Sequence, residues 1–201
     1  MAKLYFRYGA MGCGKTAALL QVAHNYNEKN MDILLIKPKI DSKGGINVES
    51  RIGIHRQVDY VFPPKIHIKN KLILDNIRAI IVDEAQFLSP HQVDELYEIT
   101  KEKNIPVICY GLRTDFQMKG FPGATRLLEI SDEIEELKTI CKCGQKATQN
   151  LRTINNVPIF KGEQVLIDGL DKKIIYESVC GKCYLELKNK YCKKENLWII
   201  E

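Results

Sequence analysis

The sequence predicts an α/β fold in which helices flank a parallel β-sheet and a small metal-binding lobe follows. Three observations carry this prediction. Short β-branched runs alternate with amphipathic stretches over roughly the first 130 residues. A glycine-rich turn separates the first predicted strand from the first predicted helix. Two close pairs of cysteines come later, where the periodicity changes to short strand-like pieces.

Four segments predict the strands of the sheet: residues 4–6, 33–36, 79–82 and 107–110. The last three are near-continuous apolar runs, as expected for strands that are buried on both faces. A helix from residue 15 to about residue 27 is predicted after the strand at residues 4–6.

The most sharply defined helix is predicted from residue 90 to about residue 103. Ser89 supplies a cap, Pro90 suits the first turn, and Gln92 stands at the third helical position. Apolar residues then follow at helical spacing.

Two segments predict loops. Residues 40–58 are rich in Gly, Ser, Asn and charge, which indicates a mobile loop. Residues 114–125 combine Gly, Pro and Phe, which indicates a loop with apolar anchors. We expect a P-loop α/β domain over residues 1–138, a zinc lobe with a loop over 139–190 and a tail over 191–201.

Composition narrows the function classes. At 201 residues and 45% hydrophobic content, the chain can bury one substantial core and a small satellite. The net charge of +5 is mild and interspersed, so it favours phosphate attraction over nucleic-acid binding. Neither a signal peptide nor a membrane span is recognisable, which predicts a cytoplasmic protein with no membrane partner. Because the cytoplasm is reducing, the seven cysteines favour metal ligation or burial over disulfides.

A phosphate-binding motif follows the first strand and satisfies G-x-x-x-x-G-K-[ST]. Its members are Gly9, Ala10, Met11, Gly12, Cys13, Gly14, Lys15 and Thr16. Glycines let the backbone N–H groups wrap phosphates, Lys15 would sit on the β- and γ-phosphates of ATP, and Thr16 would ligate Mg²⁺. The competing interpretation is a glycine-rich turn that matches by chance.

An acidic pair follows the predicted strand at 79–82. Asp83 suits Mg²⁺ ligation and Glu84 suits a general base. In an ATPase Glu84 would activate water, whereas in a kinase it would take the proton of the acceptor hydroxyl. A structural charge at a helix start is the plainer alternative for Glu84.

The four paired cysteines suit tetrahedral Zn²⁺ in a structural site: Cys141, Cys143, Cys180 and Cys183. The C-x-x-C pair is the stronger half, and simple burial is the alternative. Cys109 is expected in the core, and Cys192 has no predicted role.

The order of these motifs, with the stretch Gly-Leu-Arg-Thr-Asp-Phe-Gln at 111–117, resembles the cellular, zinc-containing thymidine kinases, and their bacterial branch in particular. The resemblance runs from about residue 3 to about residue 187. It implies a P-loop NTPase-like sheet, a zinc lobe whose lasso loop at about 150–178 closes over thymidine, and a homotetramer. It also implies ATP and deoxythymidine as substrates, dTTP as feedback inhibitor and Glu84 as catalytic base.

Further residues are carried over from the same resemblance. Asp83, Glu84, Ala85 and Gln86 join the P-loop residues at ATP. The side chains implied at the thymine are Met11, Phe87, Leu112, Phe116, Phe121 and Tyr176. Asp41 matches a family Asp near the phosphates, Lys43 stands where the family commonly has Arg, and residues 50–53 match a segment of less clear role.

Two other function classes compete. The acidic pair after an apolar strand also occurs in ATP-driven helicases, which need a second domain that this length does not supply. A zinc module without activity is the other class, and the two phosphate motifs together argue against it.

Overall fold

The computed structural model describes residues 1–39, 46–165 and 173–195, without the side chains of 192–195. The predictions for Asp41, Lys43, the middle of the lasso at 166–172 and the tail at 196–201 therefore lie outside the described residues, as does the side chain of Cys192.

The chain divides into two compact units. The sheet unit comprises residues 1–8, 14–113 and 120–137, and the cysteine unit comprises residues 9–13, 114–119 and 138 onward. The chain thus enters the cysteine unit twice, briefly, before residue 138.

The sheet unit contains eight strands and three helices among its described residues. In chain order they are β1 (Leu4–Tyr8), α1 (Lys15–Asn27), β2 (Ile33–Pro38), β3 (Asn47–Glu49), β4 (His55–Gln57), β5 (Tyr60–Phe62), β6 (Ala79–Val82), α2 (Pro90–Glu102), β7 (Val107–Gly111), α3 (Pro122–Ile130) and β8 (Glu133–Glu136).

Six of these strands form one parallel sheet in the order β5-β2-β6-β7-β1-β8. Every residue of β6 and β7 is buried, as the apolar runs predicted. A core cluster joins α1 to one face of the sheet. It includes Leu19, Leu20 and Ala23 of α1 with Leu35 of β2 and Ile81 of β6. Helices α2 and α3 contact each other and also β1. The predicted sheet flanked by helices is confirmed.

The predicted helix boundaries hold closely. Helix α1 spans Lys15–Asn27. Helix α2 starts at Pro90 with the predicted capping box, in which Gln92 N–H donates to Ser89 Oγ and Ser89 N–H donates to Gln92 Oε1, at 3.3 and 3.1 Å. It ends at Glu102, one residue before the predicted end.

The loop prediction for residues 40–58 is wrong at two short strands. Strands β3 and β4 pair as an antiparallel hairpin around buried Val48. The Ser50 hydroxyl donates to Ile54 O at 3.0 Å, and Gly53 takes a positive φ of 85° in the turn. The strands are too short, and too exposed, to give a clear alternating pattern.

The loop prediction for residues 114–125 is wrong after Phe121, because α3 begins at Pro122. Pro at the first helical position suits a helix start. Gly123, a poor helix former, obscured that signal. A Cβ at Gly123 would lie 2.5 Å from Leu88 O, so glycine permits the close approach of α3 to the backbone at residues 85–88.

The cysteine unit is built from antiparallel strands and one helix. They are β9 (Thr139–Ile140), β10 (Lys146–Ala147), β11 (Gln149–Ile154), β12 (Val157–Ile159), β13 (Ile174–Val179) and α4 (Gly181–Glu195). Strands β9 and β10 pair, and β12-β11-β13 form a three-stranded sheet. The strand-like pieces are confirmed, but the sequence pattern missed α4. Across the described residues, no helix combines the length and hydropathy of a bilayer span.

Candidate active site

The glycine-rich turn after β1 adopts a conformation that suits phosphate binding. Gly12 and Gly14 have φ values of 74° and 84°, where side chains other than glycine are strained. Helix α1 starts directly afterwards at Lys15. Its first N–H groups carry the positive end of the helix dipole, which favours an anion there. Residues 9–13 belong to the cysteine unit and residues 14–16 to the sheet unit.

The carboxyl pair lies at the carboxyl end of β6, at the same sheet edge as the end of β1, with β7 between them. Burial and the charge of Glu84 raise the pKa of Asp83 to about 7, against the lowering effects of the Glu84 N–H, Lys37 and Lys15. Asp83 and Lys15, far apart in sequence, thus lie close enough to interact. A buried carboxylate beside a second one favours a bound cation.

Glu84 is held in a strained backbone conformation. Its φ of 51° and ψ of 37° are left-handed, which costs a non-glycine residue about 1 kcal/mol or more. The fully buried Gln86 donates through Nε2 to Glu84 Oε2 at 2.5 Å. Gln86 Oε1 in turn accepts from Leu112 N–H at 2.9 Å. The Glu84 side chain is therefore fixed by a chain of hydrogen bonds that ends on β7's loop.

Gly111 makes that arrangement possible. A Cβ at this position would lie 2.7 Å from Gln86 Oε1 and 3.0 Å from Gln86 N. Only glycine lets β7 end this close to the short 3-10 turn at Ala85–Phe87. The family resemblance implies that Gln86 binds ATP, but its side chain forms hydrogen bonds within the protein, which the sequence pattern did not indicate.

Three of the predicted thymine-contacting residues lie in the sheet unit. The rings of Phe87 and Phe121 meet edge to face with centroids 5.3 Å apart. Leu112 is buried, and its own N–H donates the hydrogen bond to Gln86 Oε1. The structure therefore brings Phe87 and Phe121 into contact at the end of the short turn that follows β6 and the acidic pair.

The other three lie in the cysteine unit: Met11, Phe116 and Tyr176. Met11 N–H donates to Asn150 Oδ1 at 2.8 Å, and Asn150 Nδ2 donates to Thr114 O at 2.8 Å. Buried Asn150 thus ties the P-loop segment of this unit to residues 114–119. The sequence pattern did not indicate this role of Asn150; the only signal was a polar amide side chain inside a strand.

Phe116 packs under a buried arginine. The Arg152 guanidinium lies 3.5 Å from the Phe116 ring centroid and donates to Glu163 O at 2.7 Å and Lys161 O at 3.3 Å. Tyr184 donates to Phe116 O at 2.6 Å. Arg152 pairs across the sheet with Tyr176 on β13. The sequence pattern did not indicate a buried role for Arg152, because an arginine in a strand usually faces solvent.

The four predicted zinc ligands cluster in the cysteine unit. The sulfurs of Cys141, Cys143, Cys180 and Cys183 all lie within 4.8 Å of one another, and Cys143 Sγ is 3.6 Å from Cys180 Sγ. A tetrahedral ZnS₄ site with bonds of about 2.3 Å has sulfurs about 3.8 Å apart, so the donor set fits Zn²⁺.

The ionisation of the cluster points the same way. N–H groups of Cys143 and Cys180 lower the pKa of Cys141 to about 6, and hydrogen bonds between the protonated Cys183 thiol and the neighbouring cysteine sulfurs raise the pKa of Cys183 to about 12. Without a cation, crowded sulfurs cannot all be thiolates. Cys109, in contrast, is buried in β7, as predicted.

The glycine-rich turn after β1 and the carboxyl pair after β6 place the chain in the class of P-loop nucleotide-binding α/β proteins. A family model described as "Thymidine kinase" matches residues 2–184. The chain belongs to the thymidine kinase family.

Curated relatives cover nearly the whole chain. A thymidine kinase of Mannheimia succiniciproducens is 46% identical over 186 residues, 90% of this chain and 93% of its own. Those of Escherichia coli O157:H7 and Ruegeria pomeroyi are 44% and 43% identical and cover 92% of this chain, with 92% and 95% of their own lengths matched.

A Pif1 helicase from Candida albicans is among the similar solved structures, with a TM-score of 0.39, 15% identity, and coverage of 69% of this chain and 36% of its own. A likeness this weak supports no functional argument.

Proposed function

We propose that this protein is an ATP-dependent thymidine kinase, which transfers the γ-phosphate of ATP to the 5′-hydroxyl of deoxythymidine and gives dTMP for nucleotide salvage. Family membership supports the kinase activity and the thymidine substrate. The observation that carries the mechanism is the position of buried Asp83, beside Glu84, at the same sheet edge as the end of β1, where the charge of Lys15 helps to lower the pKa of Asp83.

The phosphates would bind to the glycine-rich turn. Backbone N–H groups of residues 9–14 and the start of α1 would hold them, with the Lys15 ammonium on the β- and γ-phosphates. Thr16 and Asp83 supply the hydroxyl and carboxylate oxygens that would hold Mg²⁺. This ion would neutralise the charge of the phosphates when it is bound.

Glu84 would act as the general base on the 5′-hydroxyl. Its carboxylate accepts from Gln86, which orients one oxygen and leaves the other for the substrate. The strained backbone at Glu84 supports this role, because such strain is concentrated at functional sites.

The apolar side chains would contact the thymine base. The family resemblance implies this for Phe87, Leu112 and Phe121 in the sheet unit and for Met11, Phe116 and Tyr176 in the cysteine unit, all of which offer the apolar surface that suits a methylated pyrimidine. The edge-to-face pair Phe87–Phe121 and the Arg152 guanidinium over the Phe116 ring support this, since each holds a ring in place.

The cysteine cluster would hold a structural Zn²⁺. Four protein ligands close the coordination sphere, so the ion would fold the cysteine unit and take no part in phosphate transfer. The homotetramer, the feedback inhibition by dTTP and the cytoplasmic location are proposed from the family resemblance and sequence composition, with neither nucleic acid nor membrane as a partner.

Phosphate transfer from labelled ATP to each of the four deoxynucleosides tests the proposal. We expect deoxythymidine to be the preferred acceptor and Lys15→Ala to abolish transfer while the protein stays folded. ATP hydrolysis stimulated by single-stranded DNA, without a phosphorylated nucleoside, would support the helicase class instead.

A further inference from the structure

A second group of metal-ligating side chains lies in the sheet unit, apart from the residues assigned above. It consists of His67, His91 and Glu95, whose ligand atoms all lie within 4.8 Å of one another. His91 and Glu95 stand four residues apart on α2, and so project from the same face of the helix. His67 comes from the loop between β5 and β6.

The three ligand atoms form a small triangle. His67 Nδ1 lies 2.9 Å from Glu95 Oε1 and 2.6 Å from His91 Nε2, and His91 Nε2 lies 3.3 Å from Glu95 Oε1. The circle through these atoms has a radius of about 1.7 Å. One ion at the usual bond length of about 2.0–2.1 Å can therefore reach all three atoms from a point about 1 Å above their plane.

The two rings can adjust to an ion. Tetrahedral geometry needs the two ring nitrogens about 3.3 Å apart, so the rings must separate by about 0.7 Å. The side chains of His67 and His91 are 62% and 51% exposed, so a small rotation meets little packing. This exposure also leaves the remaining coordination position to water.

The carboxylate, in contrast, is fixed. The Glu95 side chain is only 8% exposed, and its Oε2 accepts from Ile68 N–H at 2.7 Å. This bond turns Oε1 toward the imidazoles, as an outer-shell hydrogen bond orients a metal ligand. Within the described parts of the chain, the histidines are the only basic side chains paired with Glu95, so a buried carboxylate lacks a permanent cation.

The loop that carries His67 is also held in place. Gln92 Nε2 donates to Pro63 O at 2.8 Å and Ile66 O at 2.9 Å, and Ile68 is buried. The three ligands are therefore presented together before any ion binds, which reduces the entropy lost on binding.

We propose that His67, His91 and Glu95 form a second metal site, which binds a borderline divalent transition-metal ion of the zinc type. Two imidazole nitrogens and one carboxylate oxygen suit Zn²⁺, Co²⁺, Ni²⁺ or Cu²⁺, whereas Mg²⁺ and Ca²⁺ prefer oxygen ligands alone. The bound ion clips the loop at 63–68 to α2.

Calorimetric titration of the purified full-length chain with Zn²⁺, after its starting zinc content is measured, tests the site. We expect the unaltered protein to bind one equivalent of Zn²⁺ more than His91→Ala does. If His91→Ala still binds this equivalent, its affinity should be lower than that of the unaltered protein by more than the ~10–100-fold that is typical when an outer-shell hydrogen bond is lost. His67→Ala should behave in the same way, because both substitutions remove a ligand of one ion. The difference between variants is independent of how full the cysteine cluster is.

His24→Ala and His55→Ala are the matched controls, since both remove exposed histidines on other elements. They should keep the extra equivalent. Co²⁺ in this site should add visible bands without the sulfur-to-cobalt charge transfer of a thiolate site. Equal Zn²⁺ uptake by His91→Ala and the unaltered chain, or an equal loss in the two controls, would overturn the proposal.

Discussion

At the scale of single residues, the two carboxylates of the acidic pair, to which we assign the chemistry as a proposal, have different environments. Asp83 is buried at the strand end, while Glu84 is half-buried and fixed by Gln86. The proposed separation into a metal ligand and a base is consistent with these environments. The residue pattern alone predicted Asp83 as the Mg²⁺ ligand in either class and left the role of Glu84 open between a kinase and an ATPase.

We expect Glu84→Gln to lower kcat for thymidine phosphorylation by about 10²-fold or more, the scale of general-base catalysis. The amide cannot take the proton but can still accept from Gln86, so KM values should change little. Steady-state kinetics measure both constants. A variant with unaltered kcat would remove Glu84 from the base role.

Asp83→Asn should stabilise the protein at pH 8 in buffer without Mg²⁺ or nucleotide. The pKa of Asp83 is about 7 in the folded state and 3.8 as its ordinary value, so the folded state holds the proton more tightly. The free energy of unfolding therefore falls as pH rises between these values. The variant avoids this loss, and we expect Tm to rise by several degrees, at about 2–4 °C per kcal/mol.

At pH 5 the difference in Tm should be smaller than at pH 8, because only the part of the loss that accumulates between pH 3.8 and pH 5 is then present. Thermal unfolding followed by circular dichroism at both pH values makes the comparison. A lower Tm of the variant at pH 8 would show that the carboxylate stabilises the fold instead.

At the scale of elements, α2 links sequence prediction with structure most directly. Its capping box was predicted from Ser89, Pro90 and Gln92, and the same Gln92 side chain also holds the loop at 63–66. The cap is local and readable from spacing, whereas the loop contact joins residues far apart in the chain.

Ser89→Ala should cost about 1 kcal/mol of unfolding free energy, because the N–H of Gln92 loses its acceptor. Ser131→Ala is the control, since the buried Ser131 hydroxyl has no hydrogen-bond partner among the residues that the structure describes. The control should change stability by less than about 0.5 kcal/mol. Urea unfolding compares the two, and an equal loss in both variants would contradict the capping role.

At the scale of the whole molecule, the two units differ in how they are stabilised. The sheet unit has a parallel sheet with two strands buried throughout. In its described part, the cysteine unit has a core cluster of seven buried residues, of which two, Cys141 and Cys180, are proposed zinc ligands. A core this small usually needs a metal or disulfides to hold it.

Removing zinc with a chelator should therefore unfold the cysteine unit before the sheet unit. Hydrogen exchange should show β11 losing protection while β6 keeps it, so the sheet unit serves as the internal control. Re-addition of zinc should restore protection. Equal protection of β11 with and without zinc would leave the cysteine unit stable by its own packing.

The sequence by itself determined the buried strands, helices α1 and α2 and the order of the phosphate, acidic and cysteine motifs, because each depends on neighbours within a few residues. Only the tertiary structure revealed the Gln86 link to Leu112, the Asn150 contact with Met11 and the stacking of Arg152 on Phe116. The physical reason is that these partners are remote in sequence, and they meet only where strand order and packing bring them together.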